Sequence, residues 1–341
     1  MLVSTAISPQ FRPGPGEADQ LISRLDELGA LAGKARAAIG QIIFGQETVV
    51  ERTLTTILSG GHALLIGVPG LGKSRLVETI GVVLGMDTKR VQFTPDLMPA
   101  DIIGGEVLDE IDGRRHFRFI PGPVFCQLLM ADEINRASPR TQSALLQSMQ
   151  EHRVAIAGVE HRLPRPFHVL ATQNPIEQEG TYPLPEAQLD RFLLAIDIAY
   201  PDRDAERAML LATTGIDDRV AERVMTTDDL IKAQMLVRQM PIGEAVVDAI
   251  LAMVRRGRPE STDIDVVRHH VAWGPGPRAA QALMLACRAR AILDGRLMPS
   301  LEDVAALAGP VLRHRMALNF SARADGVALD EIIARLVERL A

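Results

Sequence analysis

A glycine-rich loop constrains the fold of this chain more than any other feature of the sequence. The segment Gly67-Val68-Pro69-Gly70-Leu71-Gly72-Lys73-Ser74 follows an apolar stretch at His62–Ile66 and precedes a helical pattern. Glycines let backbone N–H groups converge on one point, and the start of a helix adds positive potential there. A strand, a loop of this kind and a helix in succession predict an α/β domain that binds an anion at the loop.

The side chains at the end of the loop predict a nucleotide triphosphate with Mg²⁺. Lys73 suits the β- and γ-phosphates, and Ser74 suits the metal ion. Most basic residues of the chain are arginines, so a lysine at this position is informative. The predicted nucleotide contacts of the loop are Gly67, Pro69, Gly70, Leu71, Gly72, Lys73, Ser74 and Arg75.

Apolar segments of strand length alternate with helical patterns as far as about residue 200. This alternation predicts a parallel sheet flanked by helices. The predicted strands are Ala63–Ile66, Arg90–Phe93, Leu128–Ala131, His168–Thr172 and Leu193–Ile198. Two further stretches predict hairpins, one at Gly105–Ile120 with Asp112-Gly113 at its turn and one at Arg153–Leu163 around Gly158.

Three regions follow from these patterns. Residues 1–18 are rich in proline and glycine and are predicted to form a flexible tail, with an amphipathic helix starting at Asp19. Residues 19–200 are predicted to form the α/β domain. Residues 201–341 are predicted to form a smaller all-α domain, in which Ser300–Asp303 is a capping box that opens a helix.

Two acidic residues directly follow the apolar segment Leu128–Ala131. Asp132 is predicted to support the Mg²⁺ shell, and Glu133 is predicted to polarise the attacking water. Phosphoryl transfer depends mainly on positioning and on charge stabilisation, which acidic groups at this place can supply. A strand that ends in Asp-Glu more often marks a turn, but the phosphate loop nearby favours the functional interpretation.

Three other residues are candidates for contact with the γ-phosphate. Asn174 follows the segment His168–Thr172, Arg191 follows a short predicted helix, and Arg278 opens a helix after a Gly-Pro-Gly-Pro turn. A guanidinium group suits the charge that spreads over phosphate oxygens in the transition state. A surface arginine in a salt bridge is the alternative interpretation for both arginines.

These motifs, in this order, resemble the MoxR-like family of AAA+ ATPases over roughly residues 19–335. Three segments carry the likeness in addition to the loop: Phe93–Gly104 (FTPDLMPADIIG), Asp132–Ala137 (DEINRA) and Asn174–Phe192 (NPIEQEGTYPLPEAQLDRF). The resemblance implies a P-loop NTPase fold of the AAA+ type, with a parallel sheet flanked by helices and a smaller all-α lid domain.

The resemblance also implies a role for each candidate residue. Gly67–Ser74 matches the Walker A loop, and Asp132 and Glu133 match the Walker B pair. Asn174 matches the first sensor, Arg191 the arginine finger that reaches a neighbouring subunit, and Arg278 the second sensor. Ile43, Gly45 and Gln46 match the segment that lines the adenine pocket. Residues 105–120 match an insertion within helix 2, and residues 153–163 match a hairpin before the first sensor.

One departure concerns Arg278. Gly276 stands where the family often has a small hydroxyl residue before Pro-Arg. The lid can be displaced in this clade, so Arg278 is left open to act on its own nucleotide or on a neighbour's.

The function that the resemblance implies is Mg²⁺-dependent ATP hydrolysis that drives chaperone-like remodelling, maturation or metal insertion of a protein client. Members of the family are typically hexameric rings. They often act with proteins that carry a von Willebrand A domain.

The net charge, the apolar runs and the cysteines of the sequence limit which partners and locations are expected. The net charge is -6 and no basic excess is present, which argues against a nucleic-acid partner. No apolar run reaches the roughly 18 residues of a membrane span. Cys126 and Cys287 lie far apart in the sequence without metal-ligand spacing, which predicts a reducing compartment, the cytoplasm.

Two other functions stay open at this stage. A DNA-acting ring motor could use arginines near both hairpins to line a pore, namely Arg114, Arg115, Arg118, Arg153, Arg162 and Arg165. A nucleotide-gated scaffold would bind ATP without mechanical work, although it would not need an acid such as Glu133.

Overall fold

The phosphate loop follows an inner strand of a five-stranded parallel sheet in the computed structural model. The structure describes residues 15–111, 114–177, 180–214 and 220–340. The strands of this sheet are β1 (Ala63–Ile66), β2 (Thr88–Gln92), β5 (Leu128–Asp132), β8 (His168–Gln173) and β9 (Leu194–Asp197), and their order across the sheet is β2-β5-β8-β1-β9. The parallel α/β fold predicted from the sequence is confirmed.

Two antiparallel hairpins project from this sheet, as the sequence predicted. The first consists of β3 (Gly104–Ile111) and β4 (Arg114–Pro121), and the second of β6 (Arg153–Ile156) and β7 (Val159–Arg162). Phe119 and His161 stack with ring centroids 3.9 Å apart, so the two hairpins contact each other. Asp112 and Gly113, the predicted turn of the first hairpin, lie outside the described residues.

Helices cover both faces of the sheet. In the first part of the chain they are α1 (Pro15–Gly40), α2 (Glu47–Leu58), α3 (Lys73–Val83), α4 (Pro99–Ile103), α5 (Pro139–Glu151) and α6 (Glu186–Leu189). Helix α1 begins at Pro15 rather than at Asp19, so the end of the predicted flexible tail is helical. Residues 1–14 of that tail lie outside the described part of the chain.

After residue 200, the secondary structure of the described residues is helical except for one small sheet. Its helices are α7 (Arg203–Thr213), α8 (Thr227–Gln239), α9 (Glu244–Arg256), α10 (Asp265–His270), α11 (Pro277–Leu293), α12 (Leu301–Leu312), α13 (Phe320–Ala324) and α14 (Leu329–Glu338). Strands β10 (Val271–Trp273) and β11 (Ala317–Leu318) pair antiparallel, a feature that the all-α prediction missed because these strands are so short. The capping box at Ser300 and Asp303 is present.

Side chains of the central strands alternate between two cores. Leu65 and Met130 belong to one hydrophobic cluster, whereas Leu64 and Leu129 belong to the other. A parallel strand that is buried on both faces has apolar residues at nearly every position. This explains the continuous apolar segments from which the strands were predicted. The first cluster also contains residues of α1, α2, α11 and α12, so the lid and the α/β domain share one core instead of having separate ones.

In the described part of the chain, none of the helices combines the length and the apolar character required to cross a bilayer.

Candidate functional site

The carboxyl ends of β1, β5 and β8 bring most of the predicted site together. Ile66 is paired with Gln173, and Ala131 is paired with Ala171, so these three strands end at one edge of the sheet. The phosphate loop, the acid pair and Asn174 follow these ends. Ligands of open α/β sheets bind at this edge, and this geometry groups residues that lie far apart in the sequence.

The phosphate loop has the backbone that its glycines allow. Gly70 and Gly72 have φ of +86° and +73°, a region that other residues rarely adopt. Helix α3 begins at Lys73, whose ammonium group donates to the carbonyl oxygens of Gly67 (2.5 Å) and Val68 (3.2 Å). Burial lowers the pKa of Lys73, and the charges of Asp132 and Glu133 oppose this effect.

Thr172 positions both members of the acid pair. Its hydroxyl donates to Oδ1 of Asp132 at 2.6 Å and accepts from the backbone N–H of Glu133 at 2.8 Å. Glu133 has φ of +56°, which costs a non-glycine residue about 1–3 kcal/mol and requires support from its surroundings. The buried hydroxyl of Thr172 supplies part of that support.

Residues of β2 contact the same two carboxylates. The guanidinium of Arg90 lies 2.6 Å from Oδ2 of Asp132, and the amide of Gln92 donates to Oε2 of Glu133 at 2.7 Å. Arg136 donates to the same Oε2 at 3.2 Å. Sequence reasoning missed these contacts, because Arg90 and Gln92 lie about 40 positions before the acid pair and no local motif marks them.

A mainly apolar cleft of about 270 Å³ adjoins the phosphate loop. It is lined by Ile43 and Gln46 of the predicted adenine segment, and the amide of Gln46 donates to the carbonyl of Leu71 at 3.0 Å. Other lining residues, which the sequence analysis did not select, include Phe44, Tyr200 and Met209. The cleft has the size and the apolar character that suit a purine base.

Two predicted contacts occupy other positions. Gly45 does not line the cleft, since it packs against α7, where a Cβ atom would lie 2.3 Å from the Cβ of Ala205. Gly67 lines neither this cleft nor the second cleft described below, and its carbonyl oxygen accepts a hydrogen bond from Lys73. Both residues lie near residues that line the site, and contact with a nucleotide stays a prediction for each of them.

A second cleft extends from the loop to the acid pair. Its lining includes most of the predicted phosphate and metal residues, together with Arg90 and Gln92 from β2. The predicted members are Pro69, Gly70, Gly72, Lys73, Ser74, Arg75, Asp132 and Glu133. These groups fit a triphosphate with Mg²⁺: a hydroxyl and a carboxylate are available for the metal, and Mg²⁺ usually takes its remaining ligands from phosphates and water.

Asn174 lies at the same edge but is not among the described residues that line either cleft. The residue is buried, and its Oδ1 accepts from the backbone N–H of Ile176 at 3.1 Å. The side-chain N–H₂ group is thereby oriented as a donor near the end of β8. Hydrogen bonding to a phosphate or a water remains a prediction for this residue.

The two candidate arginines lie at the opposite edge of the sheet. Arg191 precedes β9, whose Leu194 is paired with Ala63 at the start of β1. Arg278 lies 3.5 Å from Asp190 and lines the same cleft of about 430 Å³ as Arg191. This cleft also contains Gly61 and His62, which precede β1, so it lies at the amino-terminal edge of that strand.

Comparison with known proteins agrees with this geometry. Residues 62–194 match the family described as "ATPase family associated with various cellular activities (AAA)", and residues 265–336 match the "AAA lid domain". "Chaperone MoxR1" of Mycobacterium tuberculosis is 41% identical over 98% of this chain and 87% of its own length. The chain belongs to the MoxR family of AAA+ ATPases.

Other members of the family and one crystal structure extend the comparison. "Protein MoxR" of Paracoccus denitrificans is 32% identical over 87% of this chain and 91% of its own length. The crystal structure of a Cytophaga hutchinsonii protein for which an ATPase activity has been suggested superposes with a TM-score of 0.87 at 33% identity, covering 94% of this chain and 98% of that one. This MoxR-family chain is therefore an ATPase of the AAA+ type.

Proposed function

We propose that the chain hydrolyses Mg²⁺-bound ATP at sites built by two adjacent copies in a homo-oligomeric ring, with six copies as the expected ring size. The observation that carries this proposal is the position of Arg191 and Lys73 at opposite edges of one parallel sheet. Strand β1 separates these edges by roughly 10 Å at about 3.3 Å per residue. Arg191 therefore serves the nucleotide of the next copy.

The proposed roles follow the two clefts of the loop edge. The loop N–H groups and Lys73 bind the phosphates, Ser74 and Asp132 hold Mg²⁺, and Glu133 orients the attacking water. Bound Mg²⁺ neutralises charge on the β- and γ-phosphate oxygens. Arg191 of the neighbouring copy stabilises the charge that develops in the transition state, and Asn174 orients the γ-phosphate or the water.

Mixed assemblies test the shared site. Arg191→Ala and Lys73→Ala copies are each expected to be inactive alone, since every site lacks one group. In a mixture, the intact loop of an Arg191→Ala copy meets the intact arginine of a Lys73→Ala copy, so phosphate release is expected to recover in part. Absence of recovery in assemblies shown to contain both copies would contradict the proposal.

A second mixture decides whether Arg278 acts on the same neighbouring nucleotide. Asp190 contacts Arg278 and precedes Arg191, which places both arginines on one edge of the copy. We propose that Arg278 acts on the neighbour's nucleotide. Copies with Arg191→Ala and copies with Arg278→Ala should then fail to rescue each other, because each interface lacks one arginine. Recovery would indicate that Arg278 acts within its own copy.

We also propose that hydrolysis remodels or matures a protein client, including insertion of a metal into it. Support comes from the chaperone name of the M. tuberculosis relative and from apolar side chains exposed on the first hairpin, Val107, Leu108 and Phe117. A partner with a von Willebrand A domain rests on the family resemblance. Capture of a bound protein by a Glu133→Gln copy in ATP, with release by the wild-type chain, tests this part.

The contacts of two arginines near the hairpins argue against the alternative function as a DNA motor. Arg118 lies 3.0 Å from Asp109, and Arg153 lies 2.8 Å from Glu160, so acidic residues of the same hairpins reduce their positive potential. A nucleotide-gated scaffold would not require an acid such as Glu133 next to the loop.

A cytoplasmic location remains part of the proposal, supported by the two free and buried cysteines.

A further inference from the structure

The lid contains a buried arginine that the nucleotide site does not use. Arg315 ends a short 3₁₀ helix, Arg313–Arg315, that follows α12, and only 3% of its side chain is exposed. Burying a guanidinium costs several kcal/mol unless its donors are paired. Its surroundings therefore have to supply a full set of acceptors.

All five N–H donors of the Arg315 guanidinium have acceptors, and four of the five contacts are to residues 190–193. Nε donates to Oδ1 of Asp190 at 2.7 Å, and Nη2 donates to the carbonyls of Phe192 at 2.6 Å and Asp190 at 3.3 Å. Nη1 donates to the carbonyls of Leu193 at 3.1 Å and Val311 at 2.7 Å. The contacts hold the backbone on both sides of Arg191.

Asp190 connects Arg315 to the second candidate arginine. One carboxylate oxygen accepts from Arg315, and the other lies 3.5 Å from Nη1 of Arg278. Arg191 itself forms no ion pair among the described residues, and its side chain lines the same cleft as Arg278. The position of Arg191 thus depends on its backbone, which Arg315 holds.

We propose that Arg315 is a positioning residue that aims Arg191 and Arg278 at the neighbouring nucleotide and so links the lid to the active site of the next copy. This inference rests on the proposed shared site. A purely adhesive role would not require these contacts, because well-packed apolar residues often replace buried ion pairs without loss of stability. The guanidinium instead directs four of its five donors at the segment that carries Arg191.

The test compares Arg315→Lys with Arg313→Lys. Lysine keeps the charge but has three donors, so it cannot satisfy all five acceptor contacts. Arg313 is two residues away and pairs with Asp197 and Asp330, outside this segment. We expect Arg315→Lys to lower kcat by roughly tenfold or more with less than a twofold change in the Kd for a fluorescent ATP analogue, and Arg313→Lys to change neither. An unchanged kcat in folded Arg315→Lys protein would overturn the proposal.

Mixed assemblies separate positioning from general damage. Arg315→Lys copies mixed with Lys73→Ala copies should regain activity, because the second copy supplies a correctly aimed Arg191. Arg315→Lys copies mixed with Arg191→Ala copies should not, because both defects affect the same edge. The reverse pattern, or rescue in both mixtures, would overturn the inference.

A second variant covers the case in which Arg315→Lys does not fold. Asp190→Asn keeps the size of the side chain but removes the charge that faces Arg315 and Arg278, and it should show the same mixing pattern. If neither variant folds, Arg315 is a structural clamp and the positioning role is overturned. Full turnover by Arg191→Ala alone would instead refute the shared site, whereas an inactive Arg191→Ala with an unaffected Arg315→Lys would refute only this inference.

Discussion

The side-chain amide of Gln92 donates a hydrogen bond to Oε2 of Glu133 across 2.7 Å. This contact joins the end of β2 to the residue that follows β5. This hydrogen bond occupies an oxygen lone pair of Glu133 that would otherwise face a water. Gln92 therefore restrains the residue proposed to orient the nucleophile.

Replacing Gln92 by alanine is expected to raise basal ATP turnover. Loss of one hydrogen bond to a charged group is equivalent to about 1 kcal/mol or more, so we expect roughly a fivefold increase. The hydrogen bonds of the Gln92 side chain in the described part of the chain join it to Arg90 and Glu133 and not to the loop, so the Kd for ATP should change little. Steady-state phosphate release checks this, with Gln147→Ala as a control, since Gln147 bonds to Glu151 on α5. A lower or unchanged kcat would contradict the proposed restraint.

Replacing Thr172 by valine is expected to reduce both stability and hydrolysis. Valine has nearly the same shape, but it leaves Asp132 and the N–H of Glu133 without the hydroxyl. A buried polar group without a partner costs about 1–3 kcal/mol. Chemical denaturation and the Mg²⁺ dependence of turnover measure the two effects.

The matched control for Thr172 is Thr56→Val in α2. The Thr56 hydroxyl is also buried, but it donates only to the carbonyl of Arg52 in its own helix. This variant should retain wild-type hydrolysis and its Mg²⁺ dependence. Equal losses of turnover in the two variants would mean that Thr172 has no specific effect on the acid pair.

Replacing Gly45 by alanine is expected to displace α7 from the base cleft. Gly45 has φ of +65°, and a Cβ atom would overlap Ala205 at 2.3 Å. The left-handed backbone alone costs alanine about 1–2 kcal/mol. We expect a lower free energy of unfolding and a several-fold weaker Kd for ATP, measured by denaturation and by titration. Gly40→Ala, where no atom lies within 4 Å of a Cβ, should weaken neither.

Stability is expected to fall as the pH drops from 7 to 5.5, because three buried histidines resist protonation. Burial lowers the pKa of His62 and of His314 to about 3 and that of His168 to about 4. The unfolded chain binds these protons near pH 6.5, whereas the folded chain does not until the pH approaches those lower values. Stability therefore rises with pH up to about 6.5. Between pH 5.5 and 7, each of the three histidines contributes about 1 kcal/mol to the increase in the free energy of unfolding.

The variant His168→Gln checks the origin of this pH dependence. His168 contacts the carbonyl of Gly61 through Nδ1 and the side chain of Gln234 through Nε2, and glutamine can both donate and accept. The difference in unfolding free energy between pH 7 and 5.5 should shrink by about 1 kcal/mol. Thr56→Val, which changes no titratable group, should leave this difference as it is.

Most elements of the site could be predicted where the relevant residues are contiguous. The loop Gly67–Ser74 follows its strand directly, and Asp132 and Glu133 end theirs, so short-range patterns sufficed. Arg90, Gln92 and Thr172 were missed because their contacts depend on β2 and β8 lying on either side of β5. Strand order is set by the packing of the whole sheet, and no local pattern records it.

The amino-acid order alone determined that an anion-binding loop, an acid pair and a parallel sheet would occur together, because backbone conformation and strand endings are local properties. Only the tertiary structure decided that Arg191 and Arg278 lie across the sheet from Lys73, and that Arg315 of the lid holds the segment beside Arg191. Those relationships join residues more than 100 positions apart, which come together only when the lid and the sheet bury one common core.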